Sequence, residues 1–377
     1  MKGKQGLVCM GLLLVLSSCH TGKQITASGL QRKDFQTEVN GQHTDLFTLS
    51  NKQGMEVCIT NYGARVVSIL VPDRNGKRED VVCGFSTITE YMEQRQNFGS
   101  TVGRYIGRIL NARFTLDGVE YKLVPNNGKS GHISHGGNPG FADRIWKVEQ
   151  ADTHRVRLSY LSPDGENGFP GNLKATLVYS LGEDDNALDL TYEATTDAPT
   201  VLNLSHHSFF NISGNFTKSV EDQQLWVDAD RFTPYDDKKC VTGEYLPVAG
   251  TPLDFRMPHT IGECIDADHP QLKVVNGYDH TWELNTKGDD TRPAAWVYDP
   301  ASGRKMEIFT TEPGMQIYTG NGLKGKMTGK GGIAYPFRSA VCFETMHFQD
   351  SPNQPGFPST VLRPGEVFRS HTVYKFE

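Results

Sequence analysis

The sequence predicts an all-β fold of antiparallel strands. Three observations carry that expectation. Short runs rich in β-branched and aromatic residues recur from end to end, as at 46–50, 56–60 and 66–71. Turn dipeptides punctuate them, among them Asn75-Gly76, Asn127-Gly128 and Asn276-Gly277, and 39 glycines and 19 prolines in 377 residues add further breaks. No long segment repeats its apolar residues with the 3.6-residue period of a helix. Many short strands without alternating helices argue for a sandwich or barrel-like architecture.

The amino terminus reads as a processing segment. Lys2 and Lys4 precede an apolar run at 7–16 that is too short to span a membrane. Leu16-Ser-Ser-Cys19 then resembles the lipobox of bacterial lipoproteins, which implies that Cys19 is acylated and becomes the first residue. The expected organisation is a signal peptide at 1–18, a polar tether at 19–35 and a single domain at 36–377. The expected location is a membrane-anchored protein facing the periplasm or the cell surface, held only through Cys19. Losing Lys2 and Lys4 takes the formal charge of −6 two units further negative. A mildly acidic body argues against nucleic acid, whose phosphates demand basic patches. Cys58, Cys83, Cys240, Cys264 and Cys342 remain in the body, an odd number with no C-x-x-C, so buried thiols are expected rather than a disulfide framework or a zinc site.

Along the body, Arg113-Phe-Thr-Leu-Asp-Gly-Val-Glu-Tyr121 is a hairpin signal with Asp117-Gly118 as its loop. Further strands are expected at 156–161, 173–181, 187–194, 294–298, 305–310, 315–319, 341–348 and 367–376. The one helix-like piece of note is 86–94.

Polar clusters punctuate these strands. The segment 97–108 places glycines around Arg104 and Arg108, but without the strand–GxGxxG–helix context of a dinucleotide site. His132-Ile-Ser-His135, Asn203-Leu-Ser-His-His-Ser208, Gly277-Tyr-Asp-His280 and the run 312–321 follow. In a strand, adjacent side chains point to opposite faces, so His206 and His207 cannot both serve one cavity. Glu344 stands in an apolar run, and alternation puts it with Cys342 and Met346. A carboxylate there is paired, desolvated or functional, or else it is an edge residue facing water.

Taken together, these motifs resemble the aldose 1-epimerases, also called galactose mutarotases, from about Lys52 to Phe376. Each motif alone is weak; six in the family's order are specific. The resemblance implies a large antiparallel β-supersandwich with an open sugar cleft, an aldohexose substrate, no cofactor and no metal; the sequence does not fix the oligomeric state, with a monomer favoured. It places the family's catalytic base on Glu344 and its acid on His207. The sugar-binding residues fall on Arg108, His135, Asp279 and Gln316, with Gly107, Ser208 and Phe209 beside them, and Phe209 and Trp282 are expected to pack on the ring. The chain departs from the family's pattern in four places: Gly107 where asparagine is usual, His206 for another asparagine, Phe209 for a tyrosine, and Met346 for a glutamine.

The residue types suit that chemistry. Opening a pyranose needs a base at the anomeric hydroxyl and an acid at the ring oxygen, with the roles exchanged on closing. Desolvation raises a carboxylate towards neutral pH, and histidine starts near it. Three rival readings remain at this point. One is a sugar-binding protein without turnover. Another is a glycoside hydrolase using Asp279 and Glu344. The third is a metal site built from His132, His135 and His207.

Overall fold

A computed structural model describes residues 24–377, so the leader, the lipobox and Cys19 lie outside the described residues. Three antiparallel sheets face a shared apolar interior. The largest has nine strands: Lys147–Ala151, Arg155–Ser162, Leu173–Leu181, Ala187–Thr196, Phe368–Phe376, Lys305–Thr310, Ala295–Tyr298, Gln224–Val227 and His259–Thr260, in spatial order. A six-stranded sheet runs Phe209–Phe210, Val341–Met346, Gly314–Tyr318, Asp279–Glu283, Arg231–Thr233, Leu246–Pro247. The third sheet has four strands, Leu46–Ser50, Glu56–Thr60, Arg65–Pro72 and Arg78–Asp80.

Alternation explains how they assemble. On the large sheet the strand Lys305–Thr310 alternates half-buried and buried positions, as a sheet with one wet face should. Its inward residues, such as Leu158, Leu190, Ile308 and Tyr374, meet Phe343, Ile317, Trp282 and Phe232 from the six-stranded sheet and Val57 and Ile69 from the four-stranded one. The strand Val341–Met346 is buried at all six positions. One of its faces lies on this core, and the other is the floor of a cleft.

Local signals are honoured where the chain turns. Leu116 pairs with Val119 across Asp117-Gly118 in the expected hairpin. The helix Ile88–Gln94 begins with a reciprocal cap, in which Thr87 Oγ1 accepts the Glu90 N–H and Glu90 Oε2 accepts the Thr87 N–H. The helix Pro270–Val275 ends on Asn276 in the left-handed conformation, so that turn dipeptide is a helix cap.

The expected polar tether at 19–35 is corrected over its described part. Residues 24–35 pack on the body: Leu30 and Phe35 are buried among Leu46, Cys58 and Tyr62. Arg32 Nε donates to Asp45 at 2.8 Å, and the Ala27 N–H donates to Glu56 Oε1 at 2.6 Å. The composition is polar, yet two buried apolar side chains and these hydrogen bonds hold it on the body. Phe35→Ala should therefore lower unfolding stability by about 3–5 kcal/mol in chemical denaturation, where a loose tether would show no change.

Candidate active site

Strand register builds the site. On the cleft face of the six-stranded sheet, Thr281, Gln316 and Glu344 form one row across three strands, and Asp279, Tyr318, Cys342 and Phe209 form the next. The strand Ser205–His207, paired to Ser100–Val102, brings His207 alongside. Arg108 comes from a short strand paired to Ile133–Ser134, and His135 follows directly, with its N–H donating to the Gly107 carbonyl at 2.9 Å. Gly136 follows because a Cβ there would lie 2.0 Å from the Gly103 carbonyl oxygen, at a φ of +78°.

These residues converge. A cleft of about 250 Å³ is lined by Glu344, His207, Arg108, His135, Asp279, Gln316, Gly107 and Phe209. Glu344 Oε1 and His207 Nε2 are 3.5 Å apart, both side chains nearly fully buried. The His207 ring stacks on Phe209 at 5.1 Å and meets His135 edge-on at 5.5 Å. Gln316 Nε2 donates to Asp279 Oδ1 at 2.6 Å, and Thr281 Oγ1 donates to Gln316 Oε1.

Two expected contacts are corrected. Ser208 faces away from the cleft and binds His206 Nε2 at 2.6 Å, because it shares the opposite strand face with His206. His206 also meets the Tyr179 hydroxyl at 3.4 Å, so this histidine is a buried structural group. Trp282 packs in the core with its indole N–H donating to the Leu253 carbonyl at 3.0 Å, and it is not part of the cleft wall. An odd step from Asp279 puts it on the other face.

Sequence reading missed Gln96, Asn97, Ser134, Tyr318 and Gln349, which also line the cleft. For Tyr318 the signal was there, two residues beyond Gln316 in the same strand. His132 is turned away: its Nδ1 accepts the Asn111 N–H at 2.9 Å, and its Nε2 lies 3.3 Å from Cys240 Sγ. His132 and His135 therefore do not converge on one ion. Among the described residues, His207, Cys342 and Glu344 bring donor atoms within 4.8 Å of one another. Burial pushes both the Cys342 thiol and the Glu344 carboxyl well up, so a cation there would have to displace protons from them.

Comparison with known proteins places this geometry. The Aldose 1-epimerase family model matches residues 45–375. The chain belongs to the aldose 1-epimerase family. It is 40% identical to the galactose mutarotase of Bos taurus over 88% of this chain and 93% of that one. It is 36% identical to the aldose 1-epimerase of Escherichia coli K12 over 89% and 96% of the two chains. The solved structure of an aldose epimerase homologue from C. elegans matches with a TM-score of 0.82 at 31% identity, covering 89% of this chain and 99% of that one.

Electrostatics of this epimerase-family cleft follow from its dryness. Burial raises the Glu344 carboxyl well above its usual range; the Asp279 charge adds to this and Arg108 opposes it. Burial pulls His207 well below 6.5, with His135 next to it adding to the effect. His135 falls to about 4 through burial and Arg108. Both members of the close pair are thus held towards their uncharged forms. By contrast His371, between Asp189 and Asp290, is raised above 6.5. Histidine NMR titration of the sugar-free protein should therefore show His371 charging first as pH falls, with His207 still neutral below 6.5 and His135 reaching its midpoint near 4. A His207 midpoint at or above 6.5 would contradict the desolvation argument.

Proposed function

We propose that the protein interconverts the α and β anomers of aldohexoses such as galactose and glucose by opening and reclosing the sugar ring. The observation that carries this reading is the 3.5 Å approach of Glu344 Oε1 to His207 Nε2 on the floor of the cleft. The anomeric hydroxyl and the ring oxygen hang on the same carbon. Ring opening takes a proton from one and gives a proton to the other, so base and acid must lie side by side.

Glu344 takes the anomeric hydroxyl proton while His207 protonates the ring oxygen. The bond from C1 to the ring oxygen breaks and the C1 carbonyl forms. After rotation about C1–C2, His207 withdraws the proton from the freed hydroxyl and Glu344 returns its own to the carbonyl oxygen. The pair holds one proton throughout, on His207 before opening and on Glu344 after it. Burial favours the second distribution, and Arg108, whose charge lowers the Glu344 pKa, offsets part of the cost of the first. Arg108, His135, Asp279 and Gln316 grip hydroxyls and set the angle of the ring, and Phe209 offers it an apolar contact. A hydrolase reading based on Asp279 and Glu344 would leave His207 without a task.

Glu344→Gln and His207→Asn keep shape and hydrogen-bonding capacity. Each should lower kcat for mutarotation by about 10²–10⁴-fold in polarimetry, while calorimetry still detects sugar binding. Near-normal turnover in Glu344→Gln would reduce the protein to a sugar binder.

We also propose that Cys19 is acylated and anchors the protein. Residues 24–35 pack on the body, so the proposed anchor lies close to the fold in sequence. Cys19→Ala should move the protein from the membrane fraction to the soluble one; wild-type protein that is already soluble with an unmodified start would refute the anchor.

A further inference from the structure

Gly107 and Gln349 come from different parts of the chain and compete for the same space. A Cβ built on Gly107 would lie 2.6 Å from Gln349 Cγ and 3.2 Å from its Cδ, at a φ of +76°. No side chain fits at 107 while Gln349 holds its place. The cleft wall beside Gly107 is made instead by Gln349.

The orientation of that amide is determined by its neighbours. The Arg108 N–H can only donate, and it meets Gln349 Oε1 at 3.3 Å. Gln349 Nε2 donates to the Tyr235 hydroxyl at 2.7 Å and to Gln316 Oε1 at 3.3 Å. Both amide hydrogens are used, and one of the two lone pairs on Oε1 is left. Gln349 is 5% exposed and lines the cleft beside two of the hydroxyl grips, Arg108 and Gln316.

We propose that Gln349 is a sugar-contacting residue that accepts a hydrogen bond from one substrate hydroxyl and so sets hydroxyl preference, in the place of the side chain that Gly107 lacks. The assignment rests on the aldose reading above. An amide supplied from position 349 differs from one at 107 in what it can offer. Its donors are committed to protein partners, so it selects for a hydroxyl that donates and gains nothing from one that only accepts.

The test is calorimetric affinity for galactose and its monodeoxy analogues, measured on the full protein. Gln349→Met keeps the stem against Gly107 and removes the amide. In the wild type, removing one particular hydroxyl should weaken binding by about 5–10-fold, the worth of one hydrogen bond. In Gln349→Met that penalty should disappear while the penalties at the other positions persist. The double variant Gly107→Asn with Gln349→Ala, which removes the clash and returns an amide from the other side, should restore it. If Gln349→Met keeps every penalty, or weakens all sugars equally with an unchanged melting temperature, the assignment is overturned and Gln349 is only a wall. Because affinity is read apart from turnover, a protein that shows the Gln349 pattern but does not mutarotate would sink the catalytic reading and leave this one standing.

Discussion

The cleft depends on one strand with two dry faces. Along Val341–Met346, Phe343 lies on the apolar core while Glu344 and Met346 lie on the cleft floor, and no position is open to water. Burying a carboxylate costs several kcal/mol unless it is paired or kept protonated. Here it is neither tied to an arginine nor fully satisfied by amides. It is left 3.5 Å from an imidazole that is equally dry. That arrangement is a poor device for stability and a good one for moving a proton, because either group can hold it.

The polar groups around the pair divide according to what they touch. Arg104, only four residues before Arg108, is buried and donates to the Pro170, Gly171 and Ser162 carbonyls, holding loops behind the cleft. Arg65 does the same for Gln96, Phe98 and Ala142. Their charges satisfy backbone oxygens that would otherwise be orphaned. Arg108, Asp279, Gln316 and Gln349 instead form a linked wall whose remaining valences face the cleft. The His206–Ser208–Tyr179 cluster stiffens the strand carrying His207 from its other side without entering the chemistry. The two adjacent histidines thus face opposite ways, His206 into a buried polar cluster and His207 into the cleft beside Glu344.

Much of this was legible from residue order, because the period of two is a local property. The strands Leu46–Ser50, Glu56–Thr60, Leu173–Leu181 and Lys305–Thr310 fall where their β-rich runs predict. Alternation also separates His207 from His206 and joins Glu344 to Met346. The same rule assigns Ser208 to the His206 face and Trp282 to the core, against the family-based expectation that both meet the sugar. Residues 24–35 misled because composition reports average polarity, whereas Leu30 and Phe35 bury as individuals.

By itself the sequence determined the all-β class and the strand faces, since each follows from neighbours along the chain, and its motifs in order singled out Glu344 and His207 as candidates. Only the tertiary structure decided which strands lie side by side, as when Ala187–Thr196 takes Phe368–Phe376 for its partner. It alone separated Arg104 from Arg108, since both stand among glycines and differ only in what surrounds them after folding. It alone seated Gln349 on Gly107, because that contact depends on the close approach of two segments remote in sequence, which no local pattern encodes.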